Sequence, residues 1–521
     1  MSSETSGLWT AMTLPNLMVA ALSQDPPQPV LTLEDGSGIR AQELRATVSS
    51  WSQALASLGL GPRSRVALLS RNCAEVVYVF NVTMLGNLCL TPLHPMGSVD
   101  DFAFALADAQ IDCLIYEPRQ FEDVARELAA RVGLRHLLAL GPTALGRDLW
   151  ALAAGFEPRP LVAPSTDPED IARIVYSGGT TGRPKGIMLS QRCIATSIAI
   201  QMAEWEWPAE VRALVCTPLS HAAGSLLLPT LLRGGLLHVL PAFDPVAVLA
   251  AIEKHRITCT MLVPTMIYAL LDHPRFDEFD LSSLEAVYYG ASTIVPSRLR
   301  EAIERIGPKF FQFYGQSEAP MTVTVLRRAQ HDTRSLTRLA SCGRPVPWLE
   351  VTLRDDAGRE VPDGQPGEIC VRGPLVMSGY LGRPDLTAEA FAGGWLHSGD
   401  VAVRDAGGFL RIVDRSKDMI ITGGFNVYPR EVEDVLTGHP AVAQAAVVGM
   451  PDPKWGEAVT AAVVLRQGAS VGADELIALV RARKGPVQAP KSVHFVECIP
   501  LSSLGKPDKR AVRVLLQDRR G

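Results

Sequence analysis

The segment at residues 176–186, YSGGTTGRPKG, combines four glycines, several hydroxyl side chains and two cations. The preceding IARIV and the following GIMLS predict two buried strands, so this segment is a loop between stiff elements. Such a loop is either a plain turn or a cradle in which backbone N–H groups, hydroxyls and a lysine surround anionic oxygens. The segment alone leaves both alternatives open.

Other short motifs follow at wide intervals. In chain order they are PLSHAAGS with His221, YYGAST at 288–293, FYGQSE ending in Glu318, WLHSGD ending in Asp400, DRSKDMIITGGFNVYPREVE at 414–433 and PLSSLGKPDKR with Lys506. Each motif is weak alone. His221 by itself predicts a structural histidine, Glu318 a surface carboxylate and Lys506 a solvated turn.

Several better-known catalytic motifs are absent from the sequence. It contains no GxxxxGK[ST], GxGxxG, HExxH or GxSxG. These absences argue against P-loop kinases, dinucleotide-binding folds, zinc proteases and α/β-hydrolases.

The elements that must position these motifs alternate between helical and strand patterns. Leu44, Val48, Trp51 and Leu55 recur at helical spacing, and strands such as SRVALLS and CLIYE follow. We expect an α/β fold, with a large N-terminal domain of helix-covered, mainly parallel sheets at 1–414. Turn-rich short strands predict a small distorted β unit within it, at about 343–412. A new helix–strand pattern predicts a small mobile α+β domain at 415–521.

Composition sets broad limits on function. The 521 residues carry a net charge of −5, which argues against non-specific binding of nucleic acid or of a membrane by a basic face. The nine cysteines are scattered without a CxxC pair, as in a reduced cytoplasmic protein. No transmembrane segment is expected, because Pro229, Arg233 and His238 interrupt the most apolar stretch.

Together and in this order, the motifs resemble those of the adenylate-forming superfamily, which comprises acyl- and aryl-CoA synthetases, carrier-protein adenylation domains and beetle luciferases. The resemblance covers nearly the whole chain, and its acyl-CoA synthetase or aryl-CoA ligase branch fits the motifs best. It implies that the loop at 176–186 holds the β- and γ-phosphates of ATP. ATP, Mg²⁺ and coenzyme A are the expected cofactors and co-substrates.

The resemblance assigns a nucleotide-binding set across four motifs. Its members are Ser177, Gly179, Thr180, Thr181, Gly182, Lys185, Gly290, Ala291, Ser292, Tyr314, Gly315, Gln316, Ser317, Asp400 and Arg415. By the resemblance, Tyr314 stacks on adenine and Ser317 binds the α-phosphate. Asp400 accepts both ribose hydroxyls, a task suited to two acceptor oxygens, and Arg415 lies beside the ribose. Glu318 is the expected magnesium ligand and a catalytic residue.

The resemblance also assigns roles to the C-terminal domain. Lys417 is the hinge, and Gly423, Gly424 and Phe425 form the loop that meets the CoA arm. Lys506 is the catalytic lysine that bridges the acyl carboxylate and the α-phosphate, where positive charge lowers the barrier. The implied reaction forms acyl-AMP and pyrophosphate, and then, after the small domain rotates, acyl-CoA and AMP.

The acyl site is expected at His221, Ala222, Ala223, Gly224 and Ser225, with His221 as the catalytic gate for the carboxylate. The small side chains predict a roomy apolar pocket for a medium- or long-chain, branched or polycyclic acid. A CoA ligase is favoured over an acyl-AMP ligase that loads a carrier-protein phosphopantetheine, and over an inactive nucleotide or acyl sensor. The protein could form a homodimer.

One position departs from the family pattern. Relatives commonly read TSGTTG, whereas this chain reads SGGTTG, so Gly178 replaces a serine. The loss of one hydrogen bond, worth about 1 kcal/mol, would weaken ATP binding several-fold without abolishing it.

Overall fold

The computed structural model describes residues 11–177, 184–415, 418–422, 425–453, 455–501 and 507–518, with the backbone alone at 177, 415 and 426. The strands in these ranges, in chain order, are β1 (Leu31–Leu33), β2 (Gly38–Ile39), β3 (Arg65–Leu69), β4 (Cys89–Leu93), β5 (Cys113–Tyr116), β6 (His136–Ala139), β7 (Arg147–Asp148), β8 (Ile171–Ser177), β9 (Lys185–Ser190), β10 (Arg212–Val215), β11 (Leu236–Val239), β12 (Cys259–Leu262), β13 (Ala286–Tyr289), β14 (Phe310–Gln316), β15 (Ala319–Leu326), β16 (Arg344–Pro345), β17 (Glu350–Arg354), β18 (Pro366–Arg372), β19 (Gly379–Tyr380), β20 (Leu396–Arg404), β21 (Leu410–Arg415), β22 (Ile420–Thr422), β23 (Phe425–Val427), β24 (Val442–Asp452), β25 (Gly456–Leu465) and β26 (Ser492–Phe495).

The helices are α1 (Leu14–Leu22), α2 (Ala41–Ser57), α3 (Ala74–Leu85), α4 (Val99–Asp108), α5 (Pro118–Arg131), α6 (Leu149–Ala153), α7 (Gln191–Glu204), α8 (Leu227–Leu232), α9 (Pro245–Lys254), α10 (Pro264–Leu271), α11 (Pro296–Ile306), α12 (Leu336–Leu339), α13 (Pro384–Ala390), α14 (Pro429–Thr437), α15 (Ala473–Lys484) and α16 (Lys509–Asp518). Several begin where a side chain accepts a backbone N–H of the first turn, as Ser98, Ser190 and Asp244 do. None of the helices in the described ranges combines the length and the apolar character that crossing a bilayer requires.

Two large, mainly parallel sheets form the N-terminal part of the protein. The first has the strand order β16-β15-β14-β13-β12-β10-β11-β1-β2, and the second has the order β19-β9-β8-β4-β3-β5-β6-β7. The central strands pair in parallel through helical crossovers, while β15 and β9 turn back as antiparallel strands. The predicted α/β class is therefore confirmed.

Helix α3 is buried on nearly all sides. Every residue of α3 except Glu75 is buried, and its side chains share one apolar cluster with residues of both large sheets. A helix that is apolar all round needs cover all round, so the continuous run AEVVYVFNVTML requires a place inside the domain. By contrast, α2 buries the predicted stripe of Leu44, Val48, Trp51 and Leu55 and leaves its other face exposed.

Two smaller sheets complete the described structure. β17, β18, β20 and β21 form the antiparallel unit that the turn-rich sequence predicts. Beyond it, β22 to β26 form a sheet covered by α14, α15 and α16. The apolar clusters of this C-terminal unit contain only residues from Ile420 onward, so it has its own core.

Asn72 connects the carboxyl ends of the two large sheets. It follows β3, and its side-chain amide donates to the Thr217 carbonyl at 2.9 Å and to the Leu240 carbonyl at 3.2 Å. Its Oδ1 accepts the Leu219 N–H at 2.9 Å. Both acceptor carbonyls and this N–H lie just beyond β10 and β11, so one side chain of the second sheet satisfies three backbone groups of the first. The sequence alone gave no signal for this role.

We expect Asn72→Ala to lower the free energy of unfolding by about 3 kcal/mol, because buried backbone groups would be left without partners. Urea unfolding followed by tryptophan fluorescence measures the change. Asn16→Ala is the matched control, since Asn16 is exposed on α1 and loses no buried contact. Equal effects of the two substitutions would contradict the linking role of Asn72.

Candidate functional site

The FYGQSE motif forms the hairpin between β14 and β15. Gln316 pairs with Ala319, so Ser317 and Glu318 occupy the tip, and the strand register shifts between Tyr314 and Gln316. A Cβ on Gly315 would lie 2.7 Å from the carbonyl carbon of Met321, which is closer than such contacts allow. The glycine therefore permits the tight return that presents the motif's polar groups at the carboxyl end of β14, the edge where α/β sheets bind ligands.

Tyr314 and Asp400 meet although they belong to different sheets. The Tyr314 hydroxyl donates to Asp400 Oδ2 at 2.7 Å, and Asp400 is buried. Burial, followed by the negative charge of Asp400, raises the pKa of Tyr314 well above its usual value, so the phenol stays protonated and donates. A carboxylate has two acceptor oxygens, which suit a hydroxyl-rich ligand.

The YYGAST motif lies at the carboxyl end of β13, beside β14. A Cβ on Gly290 would lie 2.5 Å from the Phe313 carbonyl oxygen and 2.8 Å from the Phe313 ring. Ala291 has a φ of 65°, an unusual conformation for a residue with a side chain. Gly290, Ala291 and Ser292 thus follow the strand as a turn that packs closely against Phe313, the residue before Tyr314, and the resemblance places adenine here.

Lys185 and Glu318 are joined through a third side chain. The Tyr380 hydroxyl donates to Glu318 Oε1 at 2.9 Å, and the Lys185 ammonium lies 4.9 Å from the centre of the Tyr380 ring. Tyr380 belongs to β19, the edge strand that pairs with β9. Tyr380 could not be predicted from the sequence, because a two-residue strand that begins with a glycine carries no recognisable pattern.

Glu318 fits the expected magnesium ion. Its side chain is half-buried, and its Oε2 has no hydrogen-bond partner among the described residues. One accessible carboxylate oxygen fits Mg²⁺, which keeps several waters and takes few protein ligands.

Asp400 lies on a bulged part of β20. Residues 368 and 370 of β18 pair with residues 401 and 397 of β20, so β20 has two extra residues between these pairs. Gly399 within this bulge has a φ of 73°, and its N–H donates to Glu368 Oε1 at 2.7 Å. The bulge turns Asp400 toward Tyr314, as bulges beside functional sites commonly re-aim a side chain. On the neighbouring strand β21, Arg415 is the backbone pairing partner of Asp400.

His221 has a histidine neighbour that the motifs do not predict. The rings of His94 and His221 lie edge to face with their centres 4.7 Å apart. Burial lowers the pKa of His94, which favours the neutral ring. His94 follows β4 and His221 follows β10, so two distant strand ends bring the imidazoles together.

The small residues after His221 form the 3-10 helix Ala222–Leu226. Ala223 and Gly224 are buried, and a Cβ on Gly224 would lie 2.3 Å from the Leu219 carbonyl oxygen and 3.2 Å from Phe80. The smallness of Gly224 therefore serves close packing. Ala222 and Ser225 are part-exposed and remain candidates for the acyl pocket.

Some expected site residues lie outside the described residues: Gly179, Thr180, Thr181, Gly182, Lys417, Gly423, Gly424 and Lys506, together with Gly178 and the side chains of Ser177 and Arg415. Phe425, next to the expected CoA loop, lies on β23 with 60% of its surface exposed.

Known families and proteins match most of the chain. The AMP-binding enzyme family matches residues 20–381, and the AMP-binding enzyme C-terminal domain matches residues 431–506. The medium/long-chain-fatty-acid–CoA ligase FadD8 of Mycobacterium tuberculosis is 50% identical over 512 residues, covering 96% of this chain and 89% of that protein. A feruloyl-CoA synthase of an Amycolatopsis species is 38% identical over 489 residues, covering 94% of this chain and 96% of that protein.

A similar solved structure is that of the amide bond synthetase McbA from Marinactinospora thermotolerans. It is 37% identical, superposes with a TM-score of 0.89, and covers 96% of this chain and 99% of its own. The chain therefore belongs to the AMP-binding enzyme family of adenylate-forming proteins, in the branch of acyl-CoA synthetases.

Proposed function

We propose that the protein is an ATP-dependent carboxylic acid:CoA ligase that acts in two steps on a hydrophobic medium- or long-chain, branched or polycyclic acid. The first step yields acyl-AMP and pyrophosphate, and the second yields acyl-CoA and AMP. Relatives named for fatty-acid and feruloyl substrates support both the reaction and the apolar character of the acid.

The observation that carries the proposal is the hydrogen bond between Tyr314 and Asp400. It joins an aromatic ring suited to stacking on a purine with a carboxylate suited to ribose hydroxyls, in one part-buried contact. Gly290 packs against Phe313, the residue before Tyr314, and small residues at this place let a base approach the backbone. This arrangement supports an adenosine site at the carboxyl ends of β13 and β14.

The phosphate end of the proposed site has its own group of residues. Lys185 would neutralise phosphate charge, and Tyr380 holds the Glu318 carboxylate beside it. Glu318 would hold the magnesium ion, which supplies charge neutralisation on the phosphates when bound. Ser317 at the hairpin tip would bond the α-phosphate. The resemblance adds the loop residues from Ser177 to Gly182 to this group.

In the first step the acid's carboxylate attacks the α-phosphorus and pyrophosphate leaves. His221 would position that carboxylate, and burial lowers the pKa of His94 beside it, which favours a neutral ring at this place. Lys506 would stabilise the negative charge that develops between the carboxylate and the α-phosphate. A carboxylate is a poor acyl donor, and the mixed anhydride with AMP makes it reactive.

In the second step the small domain turns about Lys417 and the CoA thiol attacks the acyl carbon. The sulfur–carbon bond forms as the bond to AMP oxygen breaks, and AMP leaves. Gly423 and Gly424 suit a loop that lies close to a pantetheine arm, because no side chain obstructs it. Phe425 is exposed beside this loop and would contact the arm.

We propose the domain boundary between residues 414 and 415. The separate apolar clusters of the C-terminal sheet support this placement.

A cytoplasmic location is consistent with the nine cysteines, none of which forms a disulfide. The homodimer stays a prediction that light scattering measures directly.

Pyrophosphate release against a panel of acids of graded bulk, with and without CoA, tests the function. We expect release with apolar acids and a CoA ester only when CoA is present. Acyl-AMP without a CoA ester would point to a carrier protein as acceptor. Because the solved McbA structure is of an amide bond synthetase, an arm with a primary amine belongs in the panel. If none of the acids caused pyrophosphate release, the result would contradict the proposal and favour a sensor.

We expect Lys506→Ala to lower the rate of adenylation by about 10²–10³ or more, because a cation is lost where charge develops. Thioester formation from pre-formed acyl-AMP should continue, since the second step does not use this side chain. Stopped-flow assays of each half-reaction measure both. Lys254→Ala, at an exposed position of α9, is the matched control. Equal loss of both half-reactions would refute the role of Lys506.

We expect Tyr314→Phe to raise the KM for ATP about tenfold, because a hydrogen bond to a charged group is worth about 1.5–3 kcal/mol and its loss frees Asp400 to turn. The KM for the acid should change little. Steady-state kinetics with each substrate varied separate the two effects. Tyr116→Phe is the control. Tyr116 lies on β5, away from the proposed site, and its hydroxyl forms a hydrogen bond with Thr143 at 2.7 Å. A rise in the KM for the acid alone would contradict the assignment.

A further inference from the structure

Glu368, Cys370 and His397 converge on the two central strands of the antiparallel sheet. Cys370 on β18 lies directly opposite His397 on β20, and Glu368 lies two residues earlier on the same face of β18. One donor atom from each side chain lies within 4.8 Å of the other two. Among the described residues this is the one group of at least three His, Cys, Asp or Glu that meets this condition.

The donor types and their separations suit a thiophilic divalent ion. His397 Nδ1 lies 3.6 Å from Cys370 Sγ and 2.6 Å from Glu368 Oε2. Tetrahedral zinc bonds of about 2.0–2.3 Å place a nitrogen and a sulfur ligand about 3.6 Å apart, and a nitrogen and an oxygen ligand about 3.4 Å apart. The nitrogen–sulfur pair is therefore already at coordination distance, and the carboxylate has to withdraw by less than an ångström.

A backbone contact orients the imidazole for this role. His397 Nε2 lies 3.1 Å from the Ala392 carbonyl oxygen. Metal-binding histidines usually donate their other ring N–H to a carbonyl or carboxylate, which directs the remaining nitrogen at the ion. With Nε2–H donated to Ala392, Nδ1 faces Glu368 and Cys370, and an ion would replace the proton through which Nδ1 contacts Glu368 Oε2.

The site is closed on one side and open on the other. Cys370 is fully buried, whereas the side chains of His397 and Glu368 are 26% and 25% exposed. An ion can enter from the side of the histidine and the carboxylate, and a water can complete the tetrahedron there, as in sites with three protein ligands. Coordination releases the thiol proton of Cys370 and the Nδ1 proton of His397 to solvent.

We infer that Glu368, Cys370 and His397 form a binding site for a zinc-like divalent ion, and that its occupation weakens ATP binding. The link is Glu368, whose Oε1 accepts the Gly399 N–H within the bulge that presents Asp400. An ion that draws the carboxylate toward Cys370 loosens this contact and lets Asp400 turn away from Tyr314. This second part depends on the proposed ribose-binding role of Asp400, whereas the ion site itself does not.

Cobalt absorption tests the site independently of activity. Co²⁺ is titrated into the full-length protein carrying Cys498→Ser, which removes the exposed thiol. We expect a near-ultraviolet band from thiolate-to-cobalt charge transfer that saturates at one ion per chain and that Zn²⁺ displaces. Addition of Cys370→Ser should abolish the band, whereas addition of Cys216→Ser, at another buried thiol, should leave it. Absence of the band, or its survival in Cys370→Ser, overturns the site.

The effect on ATP is measured in the adenylation half-reaction, without CoA because its thiol also binds zinc. Zn²⁺ is added at a ratio to protein that saturates the site, and Mg²⁺ is kept constant. We expect the KM for ATP to rise about tenfold, the effect of losing one hydrogen bond to a charged group. Cys370→Ser should keep the basal activity and lose this sensitivity. Equal inhibition of Cys370→Ser overturns the coupling. A cobalt band together with an unchanged KM for ATP also overturns the coupling, but it leaves the ion site standing. Because the cobalt band does not depend on activity, failure of the ion site and failure of the proposed function give different results.

Discussion

The hydrogen bond from Tyr314 to Asp400 is the contact on which the geometry of the site depends. Tyr314 belongs to a nine-stranded sheet and Asp400 to a four-stranded antiparallel sheet, and the two sheets lie in different parts of the sequence. Each partner is held by a local irregularity. Gly315 permits the tight hairpin after Tyr314, and the bulge at Gly399 turns Asp400 inward. The burial that keeps the phenol protonated also makes the bond stronger than it would be in water.

Much of the fold could be predicted from the sequence, because local patterns determine it. The spacing of Leu44, Val48, Trp51 and Leu55 reports a helix with one buried face, and α2 has that face. The alternation of apolar runs with helical segments reports parallel sheets, which the topology confirms. Turn clusters at 355–358 and 362–367 mark the antiparallel unit. Periodicity and turn chemistry act over a few residues, so a single sequence contains them.

The side-chain contacts within the site were much harder to predict from the sequence. Tyr380 and His94 contact expected site residues, and Glu368 contacts Gly399, which precedes the expected Asp400, yet each of the three lies in a stretch without a distinctive pattern. Their roles arise from strand order and from a bulge, and both are set by contacts between residues far apart in the chain. The small residues at 222–225 illustrate the same limit. Their size suggested open space, whereas Gly224 is small because Leu219 and Phe80 lie against it. The roles of Lys417 and Lys506 remain predictions from the resemblance.

Asn72 has a consequence for anyone who exchanges acyl-binding segments between relatives of this protein. The backbone of the His221 region takes its shape from an amide that comes from another sheet, well over a hundred residues earlier in the chain. A transplanted segment whose new host has an apolar or acidic residue at that place would arrive without its anchor, because neither type both donates and accepts as an amide does. The segment and its distant asparagine therefore form one transferable unit, although they are separate in the sequence.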